Sequence, residues 1–96
     1  AGCGMKTVKK ETADELCRVV RKFWKTGDED ILAKKHEILC QLAEECYGST
    51  YKWSIFDDLS NSAFSSYDFK PKATNQFFYD LLAMFDIDVV EAEAEE

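Results

Sequence analysis

A chain of 96 residues has room for one core, and 46% hydrophobic with 14% aromatic residues is enough apolar surface to offset the entropy of ordering. That excludes a disordered segment and a multidomain layout. The formal charge of −7 has one source: Asp86, Asp88, Glu91, Glu93, Glu95 and Glu96 have no base among them, leaving 13 acids against 12 bases elsewhere.

Conversely, seven of the twelve bases fall between Lys6 and Lys25, where only Glu11, Asp14 and Glu15 oppose them. Ala1-Gly2-Cys3-Gly4 precede a natural start at Met5 and read as an expression remnant. The expected layout is a single helical domain over residues 5–90 and an acidic, disordered tail over 91–96. No apolar run approaches the roughly 18 residues that cross a bilayer. Cys17, Cys40 and Cys46 form no CxxC or finger-type pair. The expectation is a soluble, cytoplasmic protein with free thiols.

The first periodic segment spans Thr12 to Lys25, and Thr12-Ala13-Asp14-Glu15 matches a capping box. Ala13, Leu16, Cys17, Val20, Phe23 and Trp24 fall on one face at helical spacing. Thr26-Gly27 ends this helix, and Asp28 is placed to cap the next. A second helix from Glu29 to Tyr47 has Ile31, Leu32, Ile38, Leu39, Leu42, Ala43 and Cys46 on one stripe, Glu44 and Glu45 outside it, and Gly48 as its stop. The short connection predicts an antiparallel helical hairpin.

Near Lys52 or Ser54 a helix of two to three turns begins, with Ser54 as its cap and Ile55, Phe56 and Leu59 turned inward. Ser60-Asn61-Ser62-Ala63-Phe64-Ser65-Ser66 is rich in turn formers, and Tyr67-Asp68-Phe69 alternates before Lys70-Pro71. This stretch reads as an exposed loop with aromatic anchors. Thr74 caps a last helix from Asn75 to Phe85, whose apolar side chains cover more than half its circumference and call for burial between two partners. Asp86-Ile87-Asp88-Val89-Val90 reads either as a last helical turn or as an edge strand. The fold class expected is therefore mainly all-α, a small bundle of about four helices, with no internal repeat.

For chemistry, His36 and Cys40 lie one helical turn apart, a spacing that suits metal ligands. Cys46 points into the core stripe and leaves them without a convergent third ligand, so no metal and no cofactor is expected. A single histidine, no nucleophile elbow and no glycine-rich phosphate cradle argue against an enzyme. Adjacent carboxylates such as Asp57-Asp58 point in different directions on a helix and make a poor acid and base pair. No small-molecule substrate is identified.

Two features have more to say about partners. Arg18, Arg21, Lys22 and Lys25 repeat along one side of the first helix, a row suited to phosphates or to an acidic protein surface, though positive charge near a helix C-terminus is also stabilising by itself. A helix-turn-helix over residues 31–62 is disfavoured, because Asp57 and Asp58 would face the DNA. Trp53, Tyr67 and Phe69 lead a set of aromatics of the kind that dominates binding hot spots. The function expected is a non-catalytic protein-interaction or adaptor module that binds a protein or associates with itself. Nucleic-acid binding along the basic row is the alternative, and an acidic inhibitor mimicking DNA is a minor one.

Overall fold

The computed structural model describes residues 6–64 and 74–91, and these form four helices and two short strands. In chain order they are β1 (Lys6–Lys9), α1 (Lys10–Thr26), α2 (Asp30–Tyr47), a 3-10 turn (Thr50–Lys52), α3 (Trp53–Phe64), α4 (Asn75–Ala83) and β2 (Ile87–Val90). The chain is mostly helical, as its periodicities predict. None of the described helices is long and apolar enough to cross a membrane. Tyr67, Phe69 and the rest of the expected aromatic loop beyond Phe64 lie outside the described residues, as does the tail after Glu91.

The helix α1 departs from its predicted start. Thr12 lies within the helix, buried, and its hydroxyl donates to Glu45 Oε2 at 2.8 Å, while the Lys9 amide donates to Glu45 Oε1 at 2.9 Å. A carboxylate from α2 thus takes the Thr12 hydroxyl away from any capping role and caps the helix start at the Lys9 amide instead. The cap position falls on Lys9, whose side chain caps nothing. Gln41 steadies the same carboxylate from one turn away, its Nε2 donating at 3.2 Å.

Both expected stops are present. Gly27 (φ 69°) and Gly48 (φ 71°) take the left-handed conformation open to glycine, and their amides donate to Phe23 O and Glu44 O at 2.8 and 2.9 Å. Asp28 Oδ1 accepts the Asp30 amide at 2.9 Å, as its position before α2 predicts.

The third helix is longer than expected and starts differently. Ser49, not Ser54, supplies the terminal acceptor, taking the Tyr51 amide at 3.3 Å ahead of the 3-10 turn. At its other end α3 continues through Ser60-Asn61-Ser62-Ala63-Phe64, read from sequence as a loop. Burial decides the matter: Ala63 and Phe64 are both fully enclosed, and that gain outweighs the weak helix preference of serine and asparagine. Ser60 is buried as well and donates its hydroxyl to Asp57 O at 3.1 Å, so its polar group is satisfied inside the helix.

The fourth helix is capped by Thr74, whose hydroxyl accepts the Phe77 amide at 3.3 Å. It stops at Ala83 rather than Phe85, because Asp86 takes a positive φ of 64° and turns the chain into β2. The ambiguity at Ile87–Val90 resolves as a strand.

That strand pairs in parallel with β1, in the register Lys6↔Ile87, Thr7↔Asp88, Val8↔Val89 and Lys9↔Val90. The mainly helical bundle expected from sequence thus also carries one short parallel strand pair. β1 has four residues and only one buried side chain, Val8, which is too short a pattern to announce a strand. Parallel strands need a crossover between them, and here all four helices supply it. Val8 and Ile87 join Leu16, Val20, Leu39, Leu42, Phe56, Phe64, Phe78 and Leu82 in one continuous core.

Replacing Glu45 by alanine should lower stability by roughly 1–2 kcal/mol, since a charged acceptor is lost and the hydroxyl of buried Thr12 is left unsatisfied. Chemical denaturation measures the loss, and the Lys9 amide should exchange with solvent faster in the variant. A change confined to a few tenths of a kcal/mol would contradict the bracing role assigned to Glu45.

Candidate functional site

Apolar side chains left in water, and backbone groups left without a ladder partner, mark where a folded domain is unfinished. Exposed apolar side chains occur at the α4–β2 end. Met84 and Phe85 are 77% and 55% exposed in the turn between the two elements, and Phe77 is 38% exposed on α4. The wide apolar band expected on the last helix is thus split. Phe78 and Leu82 enter the core, whereas Phe77, Met84 and Phe85 face outward. An open cleft of about 330 Å³ lies between α4 and β2, with Tyr79, Asp80, Ala83, Ile87, Asp88 and Val89 among its lining residues. Among the described residues, β2 is paired along one side only.

A polar clasp fixes this end against α1. Asp14 accepts the Tyr79 hydroxyl, Asn75 Nδ2 at 3.0 Å and Lys10 Nζ at 3.2 Å. Asn75 in turn accepts Arg21 Nη1 at 2.6 Å, and the Arg21 guanidinium lies 5.2 Å from the centre of the Phe64 ring. Lys10 Nζ sits 5.9 Å from the Tyr79 ring centre. Every group in the clasp has a partner, so α4 is held at a defined distance from α1 and the cleft beside it keeps its shape.

The chain matches no protein-family model, no curated protein and no solved structure.

The basic row divides. Arg18 pairs with Glu15 on its own helix, and Arg21 belongs to the clasp, half-buried between α1 and α4. Lys22 and Lys25 are exposed. Trp53 is half-buried against the core at the start of α3, with its ring edge-on to His36 at 4.8 Å. Of the aromatic trio, Tyr67 and Phe69 lie outside the described residues. His36 and Cys40 do meet, Sγ to Nε2 at 3.5 Å, but among the described residues no third metal-ligating side chain joins them.

The site residues named from sequence lie on α1, at Trp53 and in the loop, whereas Met84 and Phe85 enter only through the apolar band of the last helix, expected to be buried between two partners or to serve self-association. The signal was present in the excess width of the apolar band and in the Asp-Ile-Asp-Val-Val alternation. It lacked β1, the strand that makes this alternation a sheet edge.

Burial acts on two of the thiols. Burial pushes the Cys17 thiol up from 9.0 to about 12, against the opposing pull of Arg21. Burial raises Cys46 and Tyr47 as well, with Lys6 opposing the rise at Cys46. A group raised on folding stabilises fully below its unfolded value, and that stability drains away as pH climbs towards the folded value. The wild type should therefore lose stability relative to Cys17→Ala between pH 9.0 and about 12, with a constant difference below that window. Parallel pH curves for the two proteins would contradict the assignment.

Asp14→Ala should cost about 2 kcal/mol by removing a charged acceptor shared by three donors. Glu15→Ala, which breaks only the surface pair with Arg18, should cost under about 0.5 kcal/mol. Denaturant titration of both variants checks the contrast.

Proposed function

We propose that the chain is a non-catalytic protein-interaction module whose docking surface is the α4–β2 end. One observation carries this reading: the apolar side chains Phe77, Met84 and Phe85 stand exposed on α4 and in the turn after it, the segment that also walls the open cleft beside β2. Large exposed rings and thioethers lower the solubility of a domain unless they have a use, and methionine adapts its shape to a partner at small cost.

The helices α1 and α2, as an antiparallel hairpin, form the rigid base of this module, and the clasp at Asp14 transmits that rigidity to α4. A preorganised surface loses less entropy on binding than one that must order itself. Free thiols at Cys17, Cys40 and Cys46 suit a reducing cytoplasm. Nucleic-acid binding along α1 has less support, because Arg18 and Arg21 are committed within the molecule.

Selection of displayed random peptides on the intact chain tests the reading. Recovered peptides should bind in solution with micromolar dissociation constants and weaken at least tenfold against Met84→Glu/Phe85→Glu, since burial of two such side chains is worth roughly 3 kcal/mol or more. Recovery of no solution binder, or of binders indifferent to the double variant, would overturn it. Both positions are exposed, so retention of the wild-type melting temperature is expected of the variant.

A further inference from the structure

We infer that His36 and Cys40 are half of a zinc site and that a second copy of this chain supplies the other half, so that one ion joins two copies. The site lies on α2 and goes beyond the interaction-module reading of the α4–β2 end. Its two ligands stand one helical turn apart, His36 exposed and Cys40 half-buried, with Nε2 3.5 Å from Sγ. Zinc bonds of about 2.3 Å to sulfur and about 2.0–2.1 Å to nitrogen, opened to a tetrahedral angle of about 109°, put those two atoms about 3.5 Å apart. An octahedral right angle would need about 3.1 Å, and a linear bridge about 4.3 Å. The pair is therefore set along one edge of a tetrahedron. In the apo chain the same separation holds a contact between thiol and imidazole. Zinc takes the place of the thiol proton: the S–H bond breaks, an S–Zn bond forms, and the proton leaves to solvent.

The surroundings favour a dication. Glu37 and Glu44 are exposed three residues before Cys40 and four after it, which makes them its neighbours on the helix surface. The lysines of α2 do not oppose them. Lys35 is drawn to Asp57 Oδ1 at 3.3 Å and to the Phe23 ring, and Lys34, two residues from His36, points to another side of the helix. Trp53, edge-on to the imidazole at 4.8 Å, steadies the His36 ring.

Structural zinc takes four ligands, and among the described residues no third side chain converges on this pair. Two-fold symmetry supplies the missing two as the same two residues, because such a contact presents one patch to its own equivalent. The row Leu32, His36, Cys40 and Glu44, each one turn from the next, sets the direction. With the two α2 helices antiparallel about the metal, His36 of each copy meets Cys40 of the other. Glu44 then meets Leu32, which is 38% exposed, rather than a second Glu44. Parallel helices would set the two Glu44 carboxylates against each other.

The test uses the intact chain in reducing, chelator-free buffer, with zinc or cobalt(II) as the probe. Zinc should bind at one ion per two chains, release about two protons per ion and double the mass seen by light scattering. Cobalt(II) should give a thiolate-to-metal charge-transfer band with the intense visible bands of a tetrahedral ion, and should quench Trp53 fluorescence in a Trp24→Phe background. His36→Gln and Cys40→Ser should each abolish the dimer while keeping the wild-type melting temperature, since both side chains reach solvent. Cys46→Ser should respond as the wild type does. Leu32→Glu, which sets a like charge opposite Glu44, should weaken the zinc dimer at least about threefold.

No change of mass with zinc, one zinc per chain without dimerisation, or a zinc dimer that survives His36→Gln or Cys40→Ser would overturn the site. So would the weak visible bands of six-coordinate cobalt. A Leu32→Glu dimer as tight as the wild type would overturn the antiparallel arrangement. The zinc response should be unchanged in Met84→Glu/Phe85→Glu, so failure of the zinc site and failure of the α4–β2 docking surface are read separately.

Discussion

The pairing of Lys6–Lys9 with Ile87–Val90 joins the two ends of the described chain, and the arrangement of everything between them follows from that closure. Two strands of four residues are too short to be stable as an isolated ribbon. Here they persist because Val8 and Ile87 are almost wholly enclosed by the helical core, so the ladder and the core depend on each other. The helices act as the crossover that parallel strands require, and the strands in turn fix where α1 begins and where α4 must end.

Two carboxylates hold that closure in place. Glu45 of α2 receives the Lys9 amide and the Thr12 hydroxyl, which anchors the β1–α1 junction to the second helix. Asp14 of α1 receives Tyr79, Asn75 and Lys10, which anchors α4 to the first. Both acids lie on helices whose charged residues, read in sequence, look like solvated faces. Each has a consequence at a distance: Glu45 takes the outward amide of Lys9 at the end of β1, and Asp14 sets the position of the helix that walls the cleft beside β2. The exposed Met84 and Phe85 lie in the turn between that helix and β2.

The helical part of this fold was legible because its signals are local. Periodicity placed α1, α2 and α4, and Gly27, Gly48, Asp28 and Thr74 marked their ends through hydrogen bonds within a few residues. What failed depended on distant partners. Thr12 resembles a helix cap until Glu45, on the next helix, takes its hydroxyl. Ser60 to Phe64 resembles a loop until the burial of Ala63 and Phe64 is counted. β1 shows nothing in four residues that would name it a strand, and without it the alternation at Asp86–Val90 stayed ambiguous. Arg21 reads as part of an exposed basic row, yet Asn75 and Phe64 draw it inward.

The central claim is that β2 closes the fold by bonding to β1, and native-state hydrogen exchange of its backbone amides tests that most directly. Because the Lys9 amide turns to Glu45, Val8 faces β2 and the amides of Asp88 and Val90 bond back to β1, so these two should be protected to a degree comparable with the core helices, whereas the half-buried Val89 should exchange faster. Equal exchange at Asp88, Val89 and Val90 would contradict it.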